Sequence, residues 1–163
     1  MTRGTLRLMR ALPLLATVAA AGCLNPTGDD GLHRTELARS RAVWADSAIS
    51  SYTYAMAVQC ACENNLNGRD VRVSVQNGAA TGVTYTDTNP ETVAPPAPFA
   101  PYDTVEDLFA LIDDAISRGA DVLQVGYDPA LRYPNIINVD YDIRTPGDEV
   151  LVLVGELTES TGS

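Results

Sequence analysis

Apolar residues recur along this chain at two spacings, and each spacing predicts a different element. In residues 70–76 every second residue is a valine, which is typical of a strand with one buried face. Between Thr104 and Gly119 the apolar residues instead recur every three or four positions, which is the spacing of a helix. Thr104 is a typical N-cap and Gly119 a typical helix end, so this second pattern predicts a helix bounded by these two residues.

The remaining elements follow from the same two patterns. Residues 34–50 have helical spacing with Trp44 on the apolar side, and residues 52–60 are β-like. Asn77-Gly78 is a strong hairpin signal before a further strand at residues 83–86. In the second half of the chain the patterns predict three strands, at residues 122–127, 136–143 and 150–157.

The two halves of the chain therefore share one order, a helix followed by three strands. A shift of 67 residues lays Ala48-Ile49-Ser50 on Ala115-Ile116-Ser117 and brings the strands into one register. We predict an α+β fold built as a tandem α-β-β-β repeat, with an antiparallel sheet and both helices packed on one face. In this prediction residues 34–159 form a single domain, and the five prolines of residues 88–103 mark a long surface loop.

The first 22 residues have the pattern of a bacterial lipoprotein signal peptide. Residues 1–10 carry three arginines and no acid, and residues 11–21 are apolar but too short to span a bilayer. Ala20-Ala21-Gly22 then leads into Cys23, which resembles the lipobox whose cysteine takes a diacylglycerol and becomes the mature N-terminus. We therefore expect Cys23 to carry acyl chains such as palmitate; an ordinary secreted protein cleaved at an Ala-x-Ala site is the alternative.

The charge balance limits the partners of the mature chain. The sequence has 11 arginines, no lysine and 21 acids, and removal of residues 1–22 takes three arginines away, which leaves a net charge of −13. Such a surface is repelled by nucleic acids and by anionic lipid head groups. We therefore expect no nucleic-acid partner, and attachment to the extracytoplasmic side of a bacterial envelope membrane through the lipid on Cys23. Residues 23–33 are interpreted as the lipidated N-terminus and a flexible tether.

A series of residues in the predicted domain resembles a known family. The series comprises Trp44, Tyr52, Tyr54, Cys60-Ala61-Cys62, Leu108-Phe109, Tyr127-Asp128-Pro129, Tyr133-Pro134 and Asp140. Over residues 40–157 it resembles a family of bacterial lipoproteins and secreted proteins known only as a domain of unknown function. The resemblance implies a fold and a location but no activity. One departure is Arg132, where the family more often has glycine, so the turn before Tyr133-Pro134 is expected to differ.

Cys60 and Cys62 are the residues with the clearest chemical potential. Beyond the inner membrane the environment is oxidising, so the pair is first a disulfide candidate. In a regular strand the two Cα atoms would lie about 6.6 Å apart, near the outer limit for a bridge, so we expect the strand to bend there. A soft Cu(I) site that includes Met56 and a thiol-redox site are the alternatives.

Acidic side chains cluster around one predicted hairpin. Carboxylates at the density of Asp140, Asp142, Asp148 and Glu149 can hold Ca²⁺. However, Arg144 stands where an EF-hand loop needs a further oxygen ligand, which favours a solvated acidic strand end. We therefore predict neither a metal nor another cofactor.

The sequence contains no recognisable catalytic arrangement. The single histidine, His33, lies in the predicted tether, and no lysine is present to act as a base. We predict a non-catalytic binding or accessory module with an envelope protein as its partner. The alternative is a small envelope enzyme, or a thiol-redox or metal-binding protein, that uses Cys60 and Cys62. The seven tyrosines either pack in the core or line an exposed sheet face suited to protein recognition.

Overall fold

The computed structural model describes residues 28–60, 66 and 68–160. The predicted signal peptide, Cys23, Cys62 and residues 161–163 therefore lie outside the described residues. In chain order the helices and strands are α1 (Gly28–Ser47), β1 (Tyr52–Cys60), β2 (Val71–Gln76), β3 (Ala79–Tyr85), β4 (Thr92–Val93), α2 (Val105–Arg118), β5 (Val122–Tyr127), β6 (Pro134–Asp140) and β7 (Val150–Glu159).

The strands form one antiparallel sheet in the order β4-β3-β2-β1-β7-β6-β5. Two meanders, β1-β2-β3 and β5-β6-β7, are joined where β1 pairs with β7. The β1–β7 register changes by one residue between Tyr54 and Met56, because β7 carries a bulge there. The sheet therefore has two edges, β4 and β5, and its long central strands are β1 and β7.

The core lies between one face of the sheet and the two helices. In β1 the residues at even positions, from Tyr52 to Val58, are buried, while Ala55 and Gln59 on the other face are exposed. Helix α2 packs over β5 and β6 and against α1, and Trp44 of α1 meets the ring of Tyr52 edge-on at 5.5 Å. The alternating strands thus bury one face only, as an antiparallel sheet does when a single layer of helices covers it.

Helix α2 begins and ends where its sequence signals predict. The Thr104 side chain accepts a hydrogen bond from the Asp107 amide at 3.1 Å, which satisfies one of the free N–H groups of the first turn. Gly119 adopts the left-handed conformation with φ of 67°, and this conformation closes the helix. Both predicted caps are confirmed.

The predicted tandem repeat is wrong. The first residues of corresponding strands are 70 positions apart for Tyr52 and Val122, and 63 apart for Val71 and Pro134, so no single shift relates the halves. The corresponding strands also occupy different places, because β1 is central whereas β5 is an edge. Alternating apolar residues indicate that a strand has one buried face, but they do not specify which strands pair or in what register, and the odd shift of 67 lays buried Val71 on the outward-facing Asn138.

The structure also differs from the predicted tether. Helix α1 begins at Gly28, so residues 28–33 are helical, and His33 lies in this helix. Gly31 weakens a helix, but the helix continues through it into the packed segment around Leu37. Within the described residues, neither helix is both long enough and apolar enough to cross a membrane.

Candidate functional site

The face of the sheet that the helices leave uncovered is the candidate site. We call it the outer sheet face and define it by six residues on four neighbouring strands: Ala55, Ala57, Gln124, Ile136, Asn138 and Leu153. Their neighbours in sequence, such as Val58, Ile137 and Val152, point into the core and are fully buried. The two-residue period of the strands therefore places both sets, one on each face.

Two large aliphatic side chains lie side by side on the outer sheet face. Ile136 is directly opposite Leu153, and the two are 46% and 40% exposed. The same cross-strand row continues to Gly126 on one side and to Ala57 on the other. Because Ala57 is small, another surface can approach this apolar strip closely at that end, whereas Asn135 Oδ1 and Ile136 fill the space beside Gly126.

The central part of the outer sheet face is uncharged. Asn138 donates from Nδ2 to Oε1 of Gln124 at 3.3 Å, so the polar residues of this part are amides. Arg72 lies further along the face, where it is paired with Glu91 at 2.7 Å. A chain of formal net charge −10 therefore has a nearly neutral surface at this place.

The tyrosines are not on this face, so the hypothesis of an exposed tyrosine-rich surface is wrong. Tyr52, Tyr54, Tyr102 and Tyr133 are buried in the core. The Tyr52 hydroxyl accepts a hydrogen bond from the Val105 amide at 3.0 Å, and the Tyr54 hydroxyl donates to the Tyr102 carbonyl at 3.0 Å. Burial raises the pKa of both Tyr52 and Tyr54 above the ordinary tyrosine value, so both hydroxyls stay protonated and act as structural links.

The Tyr-Asp-Pro…Tyr-Pro motif forms the turn between β5 and β6. The Asp128 carboxylate accepts hydrogen bonds from the amides of Ala130 and Leu131, at 2.9 and 2.7 Å. Arg132 follows in a left-handed conformation with φ of 61°, and its guanidinium forms an ion pair with Glu36 of α1. The motif therefore holds a turn against the first helix and carries no free reactive group of its own.

The acidic cluster at the β6–β7 turn is a set of local contacts. Arg144 pairs with Asp142 at 2.9 Å and lowers the pKa of that carboxyl. Partial desolvation and the neighbouring Asp148 and Glu149 raise the pKa of Asp140. Across the described part of the chain, no group of three or more histidine, cysteine or acidic side chains is arranged to hold a metal ion. The structure thus gives the calcium alternative no support.

Of the three cysteines, Cys60 is among the residues that the structure describes. Cys60 is the last residue of β1, opposite Val150, and it is half-buried against the hydrophobic core. Cys62 and Cys23 lie outside the described residues. The bend expected from the Cys-x-Cys spacing falls on residues outside the described ones and stays a prediction.

A cleft of about 320 Å³ lies between the two helices. Its polar groups are already engaged with one another: the Trp44 indole donates to Glu106 at 2.9 Å, and Arg41 donates to the Phe109 carbonyl at 3.0 Å. Arg41 also lies 3.7 Å from Asp113. Because these contacts bind the helices together, the cleft offers a ligand few unused hydrogen-bonding groups, and the outer sheet face is the stronger candidate.

Ile136 and Leu153 were not recognised from the sequence as functional residues. The signal was present, because both are large aliphatic residues at positions whose alternation assigns them to the solvent face. In β6, however, apolar residues stand at both odd and even positions. Which of them face the core is therefore known only once the pairing of β6 with its neighbours is known. The structure supplies that pairing.

Comparison with known proteins gives a family and no activity. A family model described as "Family of unknown function (DUF6174)" matches residues 36–159, and the chain belongs to this family. This confirms the predicted membership in a domain family of unknown function. No curated protein and no solved structure matches the chain.

Proposed function

We propose that this protein is a lipid-anchored, non-catalytic binding module of a bacterial envelope, which captures a partner protein through the outer sheet face. The observation that carries the binding role is the exposed pair Ile136 and Leu153 in an uncharged strip. Burial of apolar surface is worth about 25 cal/mol per Å², so adjacent exposed aliphatic side chains on a flat face favour association.

The side chains of the outer sheet face indicate what kind of surface its partner has. Ala57 flanks the aliphatic pair on the β1 side, so the partner's side chains can approach the backbone closely there, whereas Asn135 Oδ1 covers Gly126 on the other side. Gln124 and Asn138 supply amide groups at the rim of the strip. A partner with a flat, apolar and uncharged surface fits this pattern, and an acidic partner is disfavoured by the negative charge of the rest of the domain.

The anchoring role is supported by the sequence around Cys23. If Cys23 is the mature N-terminus, residues 24–27 alone separate it from helix α1. Four residues reach at most about 14 Å even when fully extended, so the domain would lie close to the membrane surface and its partner would be a membrane-associated protein. Substitution of Cys23 by serine is expected to move the protein from the membrane fraction to the soluble fraction, whereas Thr27→Ala should leave it membrane-bound. Retention of the serine variant in the detergent phase would refute the anchor.

The binding role is tested by site-specific photocrosslinking in the native envelope. A photoreactive residue at Leu153 should give one defined protein adduct, whereas the same residue at Val43 of α1, which is similarly exposed at 36%, should not. Introduction of Ile136→Asp should abolish the adduct while the far-ultraviolet circular dichroism stays unchanged. Identical adducts from both positions, or an adduct that survives Ile136→Asp, would contradict the proposal.

For the two cysteines we propose a structural disulfide between Cys60 and Cys62. It is supported by the oxidising location that the signal sequence implies and by the cysteine count, since Cys23 would be taken up by lipid and no fourth cysteine exists in the sequence. The alternative from the sequence, an envelope enzyme or a thiol-redox or metal-binding protein, stays a hypothesis, because Cys62 lies outside the described residues.

A further inference from the structure

We propose that β5 pairs with β5 of a second copy of this chain, so that two domains share one continuous antiparallel sheet. This association is separate from capture of a partner on the outer sheet face. It follows from the two edges of the sheet, which are built differently.

The β4 edge is protected against pairing. It has only two residues, Thr92 and Val93, and prolines lie nearby on both sides, at Pro90 and Pro95. A proline cannot donate to a neighbouring strand, and a two-residue edge offers few hydrogen bonds. Glu91 adds a charge beside the strand. Each of these features is a known means of blocking edge-to-edge association.

The β5 edge has none of these features. Its six residues, Val122–Tyr127, include no charge and no proline. Alternate backbone N–H and C=O groups of such a strand point away from β6. Among residues 28–60, 66 and 68–160, no hydrogen bond reaches these outward groups of β5. The edge is therefore an unblocked template for another extended strand.

The sequence of β5 is complementary to itself. When two copies pair antiparallel about Gln124, Leu123 of one copy lies opposite Val125 of the other on the core face. On the outer face Gln124 lies opposite Gln124. The Gln124 carbonyl oxygen already accepts from Asn138, and its amide N–H₂ group is free among the described residues to donate across the axis. A two-fold arrangement therefore pairs apolar side chains with each other on the core face and amide side chains with each other on the outer face.

Pairing of this kind also extends the outer sheet face. In this register Gly126 of one copy lies opposite Val122 of the other, so the row through Ile136 and Leu153 continues across the axis onto the outer face of the second sheet. A second copy therefore places an apolar side chain, Val122, at the open end of the apolar strip.

The dimer should be weak and should become tighter as the salt concentration rises. Six paired residues bury less than the roughly 1,200 Å² of a stable interface. Both copies carry a net charge of −10, and in this register Asp121 of one copy lies beside Asp128 of the other at each end of the paired strands. Added salt screens this repulsion, whereas it would weaken a dimer held by ion pairs.

Sedimentation velocity of the full chain carrying Cys23→Ser tests the proposal, because no lipid can then contribute to association. Over about 1 to 300 µM, the range of weak transient interfaces, we expect a reversible monomer–dimer equilibrium. Gln124→Lys should weaken it at least about tenfold, because two ammonium groups then meet at the axis. Gln76→Lys, on the exposed end of β2, adds the same charge elsewhere and should leave the dimer intact or slightly tighter.

Hydrogen exchange gives a second readout that does not depend on any substitution. Alternate amides of residues 122–127 should become protected as the protein concentration rises, and those of Thr92 and Val93 should not. A chain that is monomeric throughout this range would overturn the proposal. A dimer that both lysine variants weaken equally, or neither weakens, would overturn it as well.

Discussion

The hydroxyl of Tyr133 bridges two backbone groups of β7, at Gly155 and at Leu157. It donates to the Gly155 carbonyl at 3.1 Å and accepts from the Leu157 amide at 3.2 Å, on either side of the bulge that shifts the β1–β7 register. A bulge leaves backbone groups without their usual cross-strand partners. One side chain from the turn before β6 thus satisfies both, and this ties the turn to β7 within the second meander.

We therefore expect Tyr133→Phe to destabilise the protein by about 1 kcal/mol, because it removes the hydrogen-bond partner of a backbone C=O and a backbone N–H that are at most partly buried. Urea unfolding followed by circular dichroism measures the change. Tyr127→Phe is the matched control, since no hydrogen bond of the Tyr127 hydroxyl is found among the described residues, and it should cost less than about 0.5 kcal/mol. Equal losses from both variants would contradict the role given to Tyr133.

Arg132 occupies a backbone position that favours glycine. Its φ of 61° is left-handed, which costs an L-residue about 1–2 kcal/mol, and its guanidinium gains contacts with Glu36 and with Ser40 at 3.3 Å. Substitution by alanine and by glycine removes these contacts equally, so the two variants differ in backbone strain. We expect Arg132→Gly to be more stable than Arg132→Ala by about 0.5–1 kcal/mol, after the entropy cost of glycine. Chemical denaturation compares them, and a more stable alanine variant would refute the argument.

This position shows why a family resemblance and a structure complement each other. The family resemblance leads us to expect an unusual turn at Arg132, and the structure shows a left-handed φ there, before Tyr133. The caps at Thr104 and Gly119 were predictable because each depends on a few neighbouring residues. The β1–β7 pairing was not, because it joins residues about 100 positions apart and periodicity says nothing about which strands meet. The exposed pair Ile136 and Leu153 depends on that pairing and was missed with it.

Asp103 makes stability depend on pH. Burial raises the pKa of its carboxyl to about 6, and the nearby Asp107 adds to the rise. Because the folded-state pKa is higher than the usual 3.8, the folded protein holds the proton more tightly, and its stability should fall as pH rises from about 4 to about 6. The Asp103 carboxyl is only partly buried, so solvent screening limits this cost to the order of 1 kcal/mol.

Asp103→Asn should remove this dependence. The variant is expected to be more stable than the parent above pH 6 and to show a flatter profile between pH 4 and 6, as measured by thermal unfolding across that range. Asp46→Asn, on the exposed surface of α1, should leave the profile unchanged. If Asp103→Asn leaves the same fall in stability between pH 4 and 6, another group is responsible.

The cysteine pair gives the last prediction. If Cys60 and Cys62 are bonded to each other, the ring closes over three residues, and the loop-entropy estimate gives it a contribution of at most about 2 kcal/mol. The double variant Cys60→Ser, Cys62→Ser should therefore fold, with a local loss where β1 meets Val150 and the core. Intact mass of protein from the oxidising envelope should be two hydrogens below the mass of the reduced form. The matched single variant Cys62→Ser should lose that difference and expose one alkylatable thiol at Cys60. Two free thiols in the parent protein, or one copper ion bound per chain, would instead favour the metal alternative, because copper ligation needs the reduced thiolates that a disulfide removes.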